Sequence, residues 1–133
     1  MNLIIDIGNT VAKLAVFDGD KMVEVLRGSN HSLDCLTILR HKYPIKRGII
    51  ASVITLSNTI RRQLAEVDFE ILELNYKTPV PIANHYKSPQ TLGMDRLAAV
   101  VGANYLLPGK NLLALPGGKQ AASDSVGVCK GGF

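Results

Sequence analysis

Two apolar runs near the amino terminus, residues 3–7 (LIIDI) and 12–17 (AKLAVF), are separated by only Gly8-Asn9-Thr10-Val11. A connection that short cannot hold a crossover helix, so the two runs must pair antiparallel. A third run, 22–27, follows Asp18-Gly19-Asp20, a cluster of hairpin-turn residues. The chain therefore opens with antiparallel strands predicted over 3–7, 12–18 and 22–27. Downstream the period changes. Leu33, Leu36, Ile38, Leu39 and Tyr43 recur at nearly helical spacing after Ser32, an acceptable N-cap, and the pattern stops before Pro44. Residues 49–54 (IIASVI) form a continuous, partly β-branched run of the kind found in a central strand covered on both faces. Ser57 or Asn58 then caps a helix predicted over 59–67, with Ile60, Leu64 and Val67 at i, i+4 and i+7, and 69–74 alternates like a strand.

The stretch 78–93 carries Pro79, Pro81 and Pro89, which predicts an extended surface segment. A helix is expected over 93–107, with Leu97, Val100, Val101 and Tyr105 on one face and small Ala98, Ala99, Gly102 and Ala103 allowing close packing. Pro108-Gly109 ends it. A last apolar strand is expected over 111–115, and 116–133 turns Gly- and Ser-rich without periodicity. The order βββαβαβ, followed by a further helix and strand, specifies an α/β fold: a ribonuclease-H-like (actin-like ATPase) half, with a mixed sheet and helices on its faces. Residues 1–115 are expected to form that domain and 116–133 an irregular segment.

With 133 residues at 47% hydrophobic, the chain can bury one ordinary core. Cys35 and Cys129 lack metal-ligand spacing and suit reduced thiols of a cytoplasmic protein. No basic leader precedes Leu3, and no apolar run approaches the roughly 18 residues that span a membrane. Net charge is +4, but the lysines and arginines are scattered, so a nucleic-acid partner is not indicated. His31, His41 and His85 have no carboxylate, serine or cysteine at a spacing that suggests a triad or metal site. The PGGKQ stretch, 116–120, is not a nucleotide loop: Gln120 stands where a Ser or Thr should follow Lys119, and Leu113 where the first Gly should be.

Two constellations carry chemistry. A turn beginning at Gly8 can present successive N–H groups beside the Asn9 amide and Thr10 hydroxyl, a cradle for phosphate, with Lys13 adding positive charge. Asp6 would oppose an anion unless a divalent cation lies between them, commonly through water for magnesium. The plain alternative is a hairpin turn beside a solvated carboxylate. The second constellation is Gly93-Met94-Asp95-Arg96 at the start of a helix. The helix dipole alone favours Asp95 there by about 0.3–1 kcal/mol, so ordinary capping accounts for it equally. The same dipole keeps the carboxylate ionised and able to take a proton from a hydroxyl, while Arg96 offers a planar fork to a carboxylate.

Taken together, DIGNTVAK at 6–13 and PIANHYKSPQTLGMDRLAA at 81–99 resemble the type III pantothenate kinases of the actin and sugar-kinase superfamily, over roughly residues 1–115. The resemblance implies that Asp6, Ile7, Gly8, Asn9, Thr10, Val11, Ala12 and Lys13 embrace ATP phosphates, with Asp6 supporting Mg2+, and that Tyr86, Gly93, Met94, Asp95 and Arg96 bind pantothenate. It implies that Asp95 accepts the proton of the primary hydroxyl and that Arg96 pairs with the substrate carboxylate. It also implies a monovalent cation, K+ or NH4+, a homodimer with the site near its interface, and a Gly8 turn and Asp95 helix start facing one cleft. The family's second phosphate motif, Asp-Ala-Gly-Thr, falls in register on Pro116-Gly117-Gly118-Lys119. The cation-binding Asp is thus Pro116 and the phosphate-binding Thr is Lys119. Family chains continue for about as long again, so the chain reads as an N-terminal half lacking the second half-domain, with impaired activity. Competing readings are a catalytically silent pantothenate-binding or dimerisation module, a transcriptional accessory factor, and a ribonuclease-H-like nuclease. The last wants a cluster of acidic metal ligands, and only Asp6 and Asp95 are available.

Overall fold

The computed structural model describes residues 1–112 and 129–130. Its first three strands are β1 (Asn2–Ile7), β2 (Ala12–Asp18) and β3 (Lys21–Gly28), joined by two tight turns. β1 and β2 pair antiparallel with Ile5 opposite Leu14 and Asp6 opposite Lys13. Gly19 opens the β2–β3 turn at φ +57°, a left-handed conformation that matches the turn to the strand twist and that L side chains disfavour. Two further strands, β4 (Arg47–Ser52) and β5 (Glu70–Glu73), run parallel to β1, giving the order β3-β2-β1-β4-β5. This is the mixed sheet expected of a ribonuclease-H-like half.

The period-2 register sends Leu3, Ile5 and Ile7 of β1 and Ala12, Leu14 and Val16 of β2 to one face, where each is at most 1% exposed. They form one core with Leu36 and Leu39 of α1 (Asp34–Lys42), Ile60 of α2 (Asn58–Ala65), and the flanking Leu33 and Leu56. Burial of each large side chain stabilises the fold by about 1.5–3 kcal/mol. The expected both-faces burial of β4 is corrected here: Ile50 alone of its residues is buried, because the core takes one side chain in two. On the opposite face Val25, Ala15, Ile4, Ile49 and Leu72 lie in register, one per strand, with Ile4 39% and Leu72 48% exposed.

Helix ends also differ from expectation. Leu33, not Ser32, is the N-cap of α1, and no side chain caps it. Gln63 of α2 reaches across to accept from the Leu33 N–H at 2.7 Å, while the Ser32 hydroxyl donates to Asp34 Oδ1 at 2.6 Å. The neighbouring helix thus satisfies the N–H of the N-cap residue of α1, while the Ser32 hydroxyl is engaged as a donor rather than as a cap. Ser57 caps α2 as expected: its Oγ accepts from the Ile60 N–H at 3.2 Å and donates to the His31 carbonyl at 2.9 Å.

Met1–Leu74 forms one compact unit and Asn75–Phe133 a second. In the second, the proline-bearing segment is irregular apart from a 3-10 turn at Pro89–Thr91, and it leads into α3 (Met94–Leu106). Leu97 and Val100 are buried, but Tyr105 is 68% exposed, contrary to the expected face. Eight residues beyond Leu97, steps of about 100° have carried Tyr105 roughly 80° around the helix. Gly109, at φ +72°, turns the chain after α3. β6 (Asn111–Leu112) pairs antiparallel with β7 (Cys129–Lys130), so two residues of the stretch expected to be irregular are strand. The rest of the strand expected over 111–115, and Pro116 to Lys119, lie outside the described residues. Among the described residues no helix is long and apolar enough to cross a membrane.

Candidate functional site

The Gly8 turn sits at the carboxyl end of β1, beside the carboxyl end of the parallel strand β4, with Ile7 in register with Ser52. Ligands of open α/β sheets bind outside the carboxyl ends of parallel strands. The Gly8 N–H donates to the Val11 carbonyl at 3.0 Å, closing a short loop between β1 and β2. Gly8 does not have a positive φ, so its backbone angles do not call for glycine. A Cβ there would lie 3.3 Å from the Val11 carbonyl oxygen, so glycine serves a close approach of two backbone segments.

Ile7 and Ala12 are fully buried in the core and can offer a ligand only their backbone. Asn9, Thr10 and Lys13 are exposed. Asp6 and Lys13, opposite each other on the face away from the core, stand 3.9 Å apart between carboxylate Oδ2 and Nζ. At that length the pair is loose, and both side chains are more than 40% exposed. A half-exposed carboxylate beside the loop fits magnesium held through water, since that ion favours oxygen donors and retains much of its hydration. Among the described residues no group of three or more His, Cys, Asp or Glu side chains gathers as a metal cage.

Sequence reasoning missed Asn30. It is the buried polar residue of the described chain, 7% exposed, and its Nδ2 donates to the carbonyls of Gly8 at 3.2 Å and Asn9 at 2.8 Å. Asn30 follows β3 in Gly28-Ser29-Asn30, a stretch that reads as an ordinary polar loop, and a contact 21 or 22 residues away leaves no local pattern. The loop after β4 was missed too. The Val53 N–H donates to the Ile7 carbonyl at 3.0 Å, and Ser52 Oγ donates to the Ile54 carbonyl at 2.7 Å, bringing that loop against the end of β1.

In the second unit, Gly93 is the N-cap of α3 and its carbonyl accepts from the N–H groups of Arg96 and Leu97 at 3.1 and 3.2 Å. Asp95 Oδ1 accepts from the Arg96 N–H at 2.9 Å, so the carboxylate folds back over the first turn. A Cβ on Gly93 would stand 2.5 Å from that oxygen. Met94, Asp95 and Arg96 are half-buried, whereas Tyr86 is 46% exposed and donates its backbone N–H to Asn84 Oδ1 at 3.0 Å. Gly93 to Arg96 are thus contiguous at one helix start, with Tyr86 seven residues earlier in the same unit.

Comparison with known proteins decides the family. The family model for type III pantothenate kinase matches residues 2–126, nearly the whole chain. The chain belongs to the type III pantothenate kinase family. A type III pantothenate kinase of Phocaeicola vulgatus is 65% identical over 126 residues, covering 95% of this chain and 52% of that protein. One from Bacteroides fragilis is 47% identical over 135 residues, 99% of this chain and 56% of its own length, and one from Aquifex aeolicus is 30% identical over 134. The chain spans about half the length of the curated relatives it matches.

Proposed function

We propose that this chain serves ATP-dependent phosphorylation of pantothenate to 4'-phosphopantothenate, the first step of coenzyme A biosynthesis, with residues 1–115 as the nucleotide- and substrate-binding domain. The observation that carries the reading is the Gly8 turn: a short backbone loop at the carboxyl end of β1, with the Asp6 and Lys13 side chains facing each other beside it. In this reading the loop, from Asp6 to Lys13, holds the ATP phosphates. Mg2+, when bound, neutralises phosphate charge, and Asp6 is the carboxylate that holds it through water.

Asp95 takes the proton of the pantothenate hydroxyl, and the planar Arg96 guanidinium pairs with the substrate carboxylate. Tyr86, Gly93 and Met94 complete the substrate pocket. Phosphoryl transfer passes through a loose transition state, so alignment of hydroxyl with γ-phosphate contributes more than the basicity of Asp95. The reading includes a K+ or NH4+ requirement, a homodimer and a cytoplasmic location. Purified protein incubated with ATP, Mg2+, pantothenate and K+ or NH4+ is expected to yield phosphopantothenate; absence of product under either cation removes the kinase reading for this chain.

A second reading is favoured by Pro116 and Lys119, which stand where the family's second motif supplies a cation-binding Asp and a phosphate-binding Thr. Without those groups the chain is a pantothenate-binding or dimerisation module. Calorimetry that detects pantothenate binding without turnover favours this reading over the kinase.

A further inference from the structure

We infer that Asn30 is a positioning residue for the phosphate turn, orienting its peptide planes so that two N–H groups point toward an incoming oxyanion. The inference rests on the reading of the Gly8 turn as a phosphate site, and it starts from one side chain. Asn30 Nδ2 carries two hydrogens, and they go to two consecutive carbonyls, Gly8 at 3.2 Å and Asn9 at 2.8 Å.

In a trans peptide the carbonyl of one residue and the N–H of the next lie in one plane and point in opposite directions, and none of the described bonds is cis. Fixing the Gly8 carbonyl toward Asn30 therefore fixes the Asn9 N–H away from it. Fixing the Asn9 carbonyl does the same for the Thr10 N–H. Asn30 is buried while Asn9 and Thr10 are exposed, so the two N–H groups point to the open side of the loop. Two adjacent N–H groups held parallel form the concavity that binds phosphate-type oxygens.

The rest of the turn explains why this clamp is needed. The Gly8 N–H is spent on the Val11 carbonyl, which holds the ends of the loop but leaves the two central peptide planes to rotate. Glycine at its first position adds freedom there. Asn30 is anchored independently of the loop, on the chain leaving β3, whose neighbour Ser29 accepts from the His31 N–H at 3.1 Å. The clamp thus ties the loop to the segment that leaves β3, so that binding has less of the loop to order, which lowers the cost of capturing a ligand.

The test uses the whole chain and two variants. In Asn30→Ala both donors are lost; Asn30→Ser keeps one hydroxyl donor of smaller reach. The first readout is the backbone order parameter of Asn9 and Thr10 by 15N relaxation, without any ligand. Rigid values of about 0.85 are expected in the parent and a fall below about 0.6 in Asn30→Ala, with Ile5 and Leu14 unchanged. The second readout is the affinity for ATP with Mg2+, and separately for inorganic pyrophosphate, by calorimetry. About tenfold weakening is expected in Asn30→Ala and a smaller loss in Asn30→Ser.

Unchanged order parameters, or unchanged affinity in a folded variant whose melting temperature alone falls, overturn the inference. If Asn30→Ala does not fold, Asn30→Ser decides on the same criteria. If the parent binds neither ATP nor pyrophosphate, the phosphate-site reading fails, and the relaxation data still decide whether Asn30 orients the turn.

Discussion

Replacing Gly93 by alanine separates the chemistry of the α3 start from its stability. The backbone there, φ −61° and ψ 134°, is open to any residue, so the substitution forces no strained angle. Loss of unfolded-chain freedom stabilises by about 0.4–1 kcal/mol, and the poorer N-cap offsets it by a similar amount. The added Cβ, however, would stand 2.5 Å from Asp95 Oδ1, which must retreat by about 0.9 Å to reach ordinary contact. Its bond from the Arg96 N–H, 2.9 Å long, is lost or lengthened by that movement. Misplacement of a reacting group by about 1 Å costs up to about a hundredfold in rate, and loss of a charged hydrogen bond about tenfold in affinity. Gly93→Ala is therefore expected to melt within about 3 °C of the parent while binding pantothenate about tenfold more weakly by calorimetry, with a larger loss in any turnover. A folded variant with unchanged pantothenate affinity and turnover refutes the reasoning.

Leu14→Ala removes a side chain that is 1% exposed opposite Ile5, and urea unfolding is expected to register a loss of about 2–5 kcal/mol; less than about 1 kcal/mol means the sheet does not carry the core. Ser57→Ala deletes both the α2 cap and the bond to the His31 carbonyl, with an expected cost of about 1–2 kcal/mol in the same assay. Hydrogen bonding to the Lys42 ammonium, and next to Tyr43, holds Glu24 below its usual value of 4.5, while the same Glu24 contact raises Lys42 above 10.5. A lowered carboxylate stabilises above its unfolded pKa and loses that effect as pH falls through its folded value; a raised ammonium stabilises below its unfolded pKa and loses it as pH climbs through the folded one. Glu24→Gln is accordingly expected to melt slightly lower than the parent at neutral pH and low salt, with the two curves merging in acid; a gap that persists in acid contradicts the pairing.

The strands and helices were legible because their signals are local. The apolar runs at 3–7 and 12–17 mark two strands, and a four-residue link left no pairing but antiparallel. The two motifs were legible for the same reason: DIGNT and GMDR are each contiguous, and each folds as one loop or one helix start. What failed were inferences about satisfaction and coverage. Ser32 reads as a cap, but its hydroxyl donates to Asp34 and the N-cap falls one residue later, at Leu33, and β4 reads as two-sided until the register gives only Ile50 to the core.

By itself, the sequence determined the element order and the family, since these depend on periodicity and on short runs of residues. Only tertiary structure decided how the Gly8 turn is held, because the donor that orients its carbonyls comes from Asn30, 21 and 22 residues away, and hydrogen bonds across that separation depend on where the sheet returns the chain. It decided too why Gly8 and Gly93 are glycines: one avoids a carbonyl oxygen and the other a carboxylate, and neither neighbour's position is written in the spacing of the chain.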